Sequence, residues 1–591
     1  MKKATSLIFA VILMMTVFVG CGGDGKEQSN DTASTPAISD NDFSTADIHF
    51  TDADNDAVYR VVRPDTDKNG AANAAVSVFK QMKSVLGVAV KNISDTTDGT
   101  DSYEILIGNT NRPESAKALD YLKAKLGGRY LDYIICSIGK KIVINAFCEE
   151  GLTAACEYFN NTFIKKEGVK GGIKFLKATE GNFTDITLNG KNIKDFYIVR
   201  PHFNSSYITQ MQIEEMVNYI SKTTGYLLPV EEDEYVPEGA NEIIVGNTNR
   251  KDVETIADRD SFIVKITGDK VYLNGGSPYA TAMAVSEFTK VLKNGAVNDS
   301  ASFNGSYAEK ANSYDSATYY KPMWMDDFDY SPGVNGVSNE KWWIISEDKT
   351  PFHAEGHNGK TSVRSTSPDV LRVEDGLLKM SAKFDDNYYY GGMLRSPYNL
   401  IYRYGYVEES AILPNGSGLW SSLWITSAGG DYCGQEIDIN ECFGNAKMVA
   451  ANAHTWPSDQ AAAEGWQHTS LDGNYGNEKK YNCPDGKNFG EDFHTFGYLW
   501  TPTEMTFTCD GEIYFSYELK ESNTQDYFAF NTECQLILSL ATGFASNGEI
   551  PDEGAEYWSK SNTLIVDYIH LYQIKDGNQL YRNGVDDTEY K

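Results

Sequence analysis

Nine residues that return almost unchanged constrain the first half of this 591-residue chain more than any other feature. Glu104-Ile-Leu-Ile-Gly-Asn-Thr-Asn-Arg112 reappears as Glu242-Ile-Ile-Val-Gly-Asn-Thr-Asn-Arg250, and Tyr59-Arg-Val-Val-Arg-Pro64 reappears as Phe196-Tyr-Ile-Val-Arg-Pro201 at nearly the same spacing. Two anchors at one offset imply two homologous domains, here residues 46–180 and 190–310. The period is far longer than the ~20–50 residues of a solenoid repeat, so each copy is expected to close its own core.

Within the first copy, the apolar strand Tyr59 to Val62 precedes a segment with Ala75, Val78, Phe79, Met82 and Leu86 on one helical face. A strand over 104–108, a short helix from about Glu114, a hairpin over Tyr133 to Asn145 and a helix from about Glu150 follow. The order β-α-β-α-β-β-α implies a mixed sheet with helices packed on it. With its Ile-Gly-Asn-Thr-Asn-Arg strand end, it resembles the small α/β domain that precedes the catalytic barrel in several glycoside hydrolases, the family 20 hexosaminidases among them. That domain does no chemistry in those enzymes. Gly108-Asn-Thr-Asn is read as a turn entering a helix, the other reading being a phosphate or sugar loop.

The N-terminus carries an address. Lys2 and Lys3 precede an apolar run from Leu7 to Val19, too short for a bilayer span of ~20 residues. Phe18-Val19-Gly20-Cys21 resembles a bacterial lipobox, with Phe where Leu is usual. The resemblance implies that residues 1–21 are a signal peptide, that Cys21 is diacylated, and that the chain is anchored at the cell surface. Residues 22–45 are polar and read as a flexible tether. A net charge of -31 argues against a nucleic-acid partner, which needs a basic face to displace counterions. Beyond Cys21, Cys136, Cys148 and Cys156 lie in the first half and Cys433, Cys442, Cys483, Cys509 and Cys534 in the second. Odd numbers on both sides prevent complete pairing within each half, so buried free thiols are expected.

From about Pro322 to residue 575 the texture changes to short alternating strands with Gly/Asn turns, the pattern of an all-β sandwich, followed by a tail over 576–591. Eight of the nine Trp fall between Trp324 and Trp500, where flat faces for stacking on pyranose rings are available alongside ordinary sheet-core roles. The informative segment is Gly434-Gln-Glu-Ile-Asp-Ile-Asn-Glu-Cys-Phe-Gly444. Alternation puts Glu436 and Asp438 on one face and Ile437 and Ile439 on the other. The next acid comes at 441 instead of 440, so a one-residue bulge at Ile439-Asn440 is expected to return Glu441 to the acidic face. Like charges held close push their pKa values apart, which divides an ionised nucleophile from a protonated acid. Retention of configuration needs carboxyl groups ~5–5.5 Å apart and inversion ~6.5–9.5 Å.

Glu436-Ile-Asp-Ile-Asn-Glu441 resembles the E-x-D-x-x-E signature of glycoside hydrolase family 16 in its bulged, laminarinase-like form. Trp324 to Asp329, Tyr404 to Glu408, Leu413 to Trp420, Phe493 to Pro502, Leu536 to Ala541 and Val566 to Tyr572 are similar to further stretches of that family in the same order. The resemblance implies an all-β jelly roll with a concave substrate groove, following the two tandem α/β domains. It further implies Glu436 as nucleophile, Asp438 as its modulator and Glu441 as acid/base. Trp420 and Trp424 would line sugar subsites, with His454 and Trp456 near the cleavage point, whereas Trp500 at a strand end reads as core. No cofactor is implied for catalysis. Some members hold a structural calcium, for which Asp567 and a carbonyl near Gly376 would be the ligands here. Met393, Ser539 and Cys433-Gly434-Gln435 depart from the usual residues.

The implied activity is endo-acting, retaining hydrolysis of β-1,3- or mixed-linkage β-1,3/1,4-glucan. Alternatives are another β-linked polysaccharide (galactan, xyloglucan or host glycan) or a non-catalytic surface glycan-binding lipoprotein. Residues 46–310 contain no comparable acidic constellation and are expected to be dispensable for chemistry.

Overall fold

The computed structural model describes residues 39–65, 70–99, 101–307, 321–344, 360–397, 400–427, 433–470, 479–543, 561–573 and 580–583. Cys21, residues 22–38 of the tether and most of the tail fall outside them, whereas Asp40–Asp42 of the expected tether form a short 3-10 helix and Phe43 is buried against the first unit.

The first repeat builds a six-stranded sheet from β1 (Arg60–Arg63), β2 (Asn92–Ser94), β3 (Glu104–Ile107), β4 (Tyr133–Ile138), β5 (Lys141–Ala146) and β6 (Lys174–Lys177), in the order β2-β1-β3-β5-β4-β6. The β1, β2, β3 and β5 strands run parallel, whereas β4 pairs antiparallel with β5 and β6. Helices α1 (Gly70–Leu86) and α3 (Glu149–Thr162) cover one face and α2 (Pro113–Leu126) the other. The second repeat has the same order and directions, with Val230–Glu232, Tyr197–Arg200, Glu242–Val245, Lys270–Gly275, Ser261–Thr267 and Phe303–Ser306 in place of β2, β1, β3, β5, β4 and β6. It has α4 (Tyr207–Thr224) and α5 (Pro278–Leu292) but no helix matching α2. The reason is local: Pro113 presets the first turn of α2, whereas the second copy has Lys251 there and a connection of 15 residues in place of 25.

The repeated nine-residue motif is a lock inside each sheet. Fully buried Glu104 takes ion pairs from Arg60, Arg112 and Lys141, and Glu242 takes them from Arg250 and Lys270. Asn111 bonds Asp95 through its backbone N–H and side chain, and Asn249 bonds Asp233 in the same way. Gly108 turns the chain at φ 70°, where a Cβ would also press on Ala71 and Leu152 at 3.2 Å. The motif's polar groups thus bond within their own unit, as the turn reading expects, with Asn109, Asn111, Asn247 and Asn249 still at the surface.

The C-terminal sandwich comprises, among the described residues, an eight-stranded and a twelve-stranded sheet. Leu371–Glu374, Leu377–Ser381, Thr563–Gln573, Gly405–Ile412, His494–Trp500, Glu504–Cys509 and Glu512–Glu518 run in that order across the first. The second centres on Tyr388–Arg395, Cys534–Thr542, Leu419–Ser427, Cys433–Cys442 and Met448–Pro457. Between them lie Leu423, Ile425, Ile437, Leu538, Tyr498 and Trp500. Trp500 is fully buried and donates its indole N–H to Phe530 O at 2.8 Å, as a core role requires. The eight cysteines after Cys21 are thiols, and all but Cys148 are buried.

One contiguous apolar core joins the second α/β unit to the sandwich. A buried polar seam reinforces it. Arg200, 1% exposed, pairs with Glu232 of its own unit and Glu512 of the sandwich, both at 2.6 Å. Asn204 N–H donates to Asp510 and Tyr207 N–H donates to Glu408, while Thr495 Oγ1 donates to Ser205 O. Glu408 also accepts from Tyr406 and Tyr568 of the sandwich. Burial still pushes its carboxyl above the usual range.

Candidate active site

The acidic strand Cys433–Cys442 contains the expected bulge. Against Leu419–Ser427, Trp424 faces Asp438 while its neighbour Leu423 faces Asn440, so Ile439 is extra. Against Met448–Pro457, Asp438 faces Asn452 and Glu441 faces Ala450, leaving two residues opposite one. Ile439 and Asn440 are both turned into the sandwich at 1% exposure, and Asn440 Oδ1 accepts the Leu423 N–H at 2.9 Å. Parity is thereby shifted once, and Glu441 shares the outward face with Glu436 and Asp438.

Each carboxylate meets a ring on that face. Trp456 Nε1 donates to Glu436 Oε2 at 3.1 Å, and Trp420 Nε1 donates to Glu441 Oε1 at 3.0 Å. Asp438 Oδ2 lies 3.4 Å from His454 Nε2, which is also 3.0 Å from the Asn452 amide. Trp424 Nε1 reaches Ser539 Oγ at 3.2 Å, and Ser539 lies opposite Met393 in the register. Two of the unusual residues therefore share one spot beside Trp424. The third departure is internal: Gln435 is buried and bonds Thr532 O.

Sequence reasoning missed His468. Its ring stacks on Trp456 at 4.1 Å, and its Nε2 lies 3.2 Å from His454 Nδ1. Only the pairing of His454–Thr455 with Thr469–Ser470 brings it there, and no periodicity announced that pairing.

Burial pushes the Glu436 carboxyl up to about 7, with Asp438 adding to the rise and His454 and the Trp456 N–H opposing it. Asp438, wholly enclosed, is raised by burial and held back by His454. Burial disfavours the His454 imidazolium, but the bond and charge of Asp438 and the charge of Glu436 outweigh it and raise its pKa. Glu436, Asp438 and His454 place polar atoms within 4.8 Å of one another, the one such trio of potential metal ligands among the described residues. Their mutual hydrogen bonding and charge pairing account for the arrangement.

The suggested calcium ligands do not fit the ion. A guanidinium stands there: Arg259 of the second α/β unit lies 3.6 Å from Asp567 Oδ1 and 3.4 Å from Asp327 Oδ1, which also pairs with His570 at 2.8 Å. Gly376 sits in the hairpin turn between Glu374 and Leu377, at φ 71°. Calcium needs six to eight oxygens, and the two carboxylates already share a cation. The melting temperature is therefore expected to be unmoved by EDTA or added CaCl2. A site filled to 100 times its Kd would add about 2.7 kcal/mol, or several degrees, and such a shift would restore calcium.

A family model described as "Beta-porphyranase A-D, GH16 domain" matches residues 321–574. The beta-glucanase of Rhodothermus marinus is 24% identical over 273 residues, covering 44% of this chain and 87% of that protein. Glucan endo-1,3-beta-glucosidase A1 of Niallia circulans is 24% identical over 285 residues, or 42% of this chain and 37% of its own length. The catalytic domain of an endo-1,3-beta-glucanase (laminarinase) from Thermotoga petrophila RKU-1 aligns with a TM-score of 0.33 at 25% identity, covering 44% of this chain and 99% of that one. The match to the family 16 model thus covers residues 321–574, the stretch that carries the bulged acidic strand on the sandwich's outer face.

Proposed function

We propose that the sandwich cleaves β-1,3- or mixed-linkage β-1,3/1,4-glucan internally with retention. The observation that carries the reading is the bulge, which keeps Glu436, Asp438 and Glu441 on one face. Glu436 attacks the anomeric carbon, and Glu441 protonates the leaving oxygen and then activates water. Asp438 tunes Glu436 through its charge, and His454 partly neutralises both acids. Trp420, Trp424 and Trp456 offer ring faces for sugars, with His454 and His468 packed behind Trp456. The test is a polysaccharide panel read by proton NMR. A first product with the β-anomeric signal supports the mechanism, and an initial α product sinks it. The second reading, a different β-linked polysaccharide such as a galactan, draws on Met393 and Ser539 beside Trp424, and cleavage of that polymer alone would establish it.

Because the nucleophile must be ionised, kcat/KM should rise with pH up to about 7, where Glu436 loses its proton. His454→Ala removes the cation that lowers that pKa. The acid limb should then move upward by about one pH unit. An unmoved limb would assign it to another group.

Anchoring through Cys21 places this activity at the outer surface of a bacterial membrane, with the α/β units as a non-catalytic stalk. Cys21→Ser should release the protein into the soluble fraction, and continued membrane retention would refute the anchor.

A further inference from the structure

We propose that Asn440 and Glu409 are positioning residues that hold the bulge, and through it the acid/base Glu441, from inside the sandwich. The inference rests on the reading of Glu441 as acid/base. Asn440 is the inward-facing residue immediately before Glu441, and its side chain is bonded at both ends. Its Oδ1 accepts the N–H of Leu423, at the point where the neighbouring strand's register shifts. Its Nδ2 donates to Glu409 Oε2 at 2.7 Å. Glu409 belongs to Gly405–Ile412 in the other sheet, so this bond crosses the core and ties the back of the catalytic strand to the opposite layer.

The pair is expensive to keep. Glu409 is 1% exposed, its Oε1 has no hydrogen-bond partner, and burial pushes its carboxyl up to about 7. Two apolar side chains would fill the same space without an unsatisfied oxygen. What an apolar pair lacks is direction. A bulge residue that only fills space can rotate, whereas an amide fixed to one strand's N–H and to the far sheet cannot. The following residue inherits that fixity, and Glu441 meets its outer partner, Trp420 Nε1, from a set position. The acid must lie in line with one leaving oxygen, and a misplacement of ~1 Å can cost about 10²-fold.

Leaving-group dependence separates this role from general stabilisation. Glucan needs protonation of its leaving oxygen, but a 2,4-dinitrophenyl β-laminaribioside does not. Glu409→Leu and Asn440→Ala should lower kcat on glucan by about 10²-fold at near-constant KM. For the aryl glycoside, kcat/KM, which reports formation of the glycosyl-enzyme and not its hydrolysis, should fall far less. Glu409→Gln, a neutral side chain that still accepts from Asn440, should recover most of the loss. The double variant Glu409→Leu/Asn440→Leu removes both halves of the cross-core pair and leaves only the Leu423 N–H without its acceptor, so it should fold even where a single variant does not. Equal losses on both substrates, or no loss on glucan in the folded double variant, would overturn the proposal. Glu441→Gln run alongside tests the parent reading: if it still hydrolyses glucan, the acid/base assignment fails and not merely its positioning.

Discussion

Glu436→Gln should lower turnover of β-1,3-glucan by about 10⁴-fold or more while leaving glucan binding and the melting temperature nearly unchanged, because the glycosyl-enzyme can no longer form. The substitution keeps the volume of the side chain and its acceptor toward Trp456 Nε1, so the local structure has little to adjust. Glu441→Gln should cost about 10²–10⁴-fold on the polysaccharide, the usual range for a general acid. Asp438→Asn should be milder, since Asp438 adjusts the charge of its neighbour and makes no bond to the sugar. Initial rates by reducing-sugar assay decide the matter, with binding followed by gel retardation. Near-wild-type turnover in either glutamate variant would remove the assignment.

The second large effect concerns the α/β units. A sandwich starting near Ala317 loses Arg200 from Glu512, the Tyr207 N–H from buried Glu408 and the Asn204 N–H from buried Asp510, and it exposes apolar core shared with α4 and α5. The newly wetted apolar surface is the larger loss, at about 25 cal/mol per Å², against a domain's total stability of only ~5–15 kcal/mol. That fragment should be insoluble or melt far below the full chain. A chain starting near Gly181, which keeps the second unit, should retain both fold and rate. Cooperative unfolding at the full-length temperature for the shorter fragment would show that the seam is dispensable. Sequence reasoning expected residues 46–310 to be unnecessary for chemistry. No carboxylate of the site comes from them, but the fold around it leans on the second unit.

That contrast shows what a sequence can disclose. Duplication, alternation and parity are local, and the sheets and the bulge followed from them. At Glu441 the acid falls one place late, and a single extra residue was the physical remedy. Arg259 was illegible for the opposite reason. It reaches Asp327 and Asp567 only after two separately patterned regions dock, and no periodicity encodes docking. His468 was hidden in the same way. The missing counterpart of α2 was legible in principle, from the absent Pro and the shortened connection, but the strength of the repeat invited symmetry.

The bulge has a further consequence when the strand is treated as a count of side chains. Facing alone is satisfied by one residue fewer: with Asn440 deleted, Asp438, Ile439 and Glu441 would alternate regularly, and Glu441 would still point outward. The insertion therefore supplies an additional side chain to the interior, next in the chain to Glu441 and facing the layer behind it. In this chain that vacancy is filled by Asn440, whose amide spans the gap to Glu409. Changes confined to the far sheet can then reach Glu441 without touching the acidic outer face.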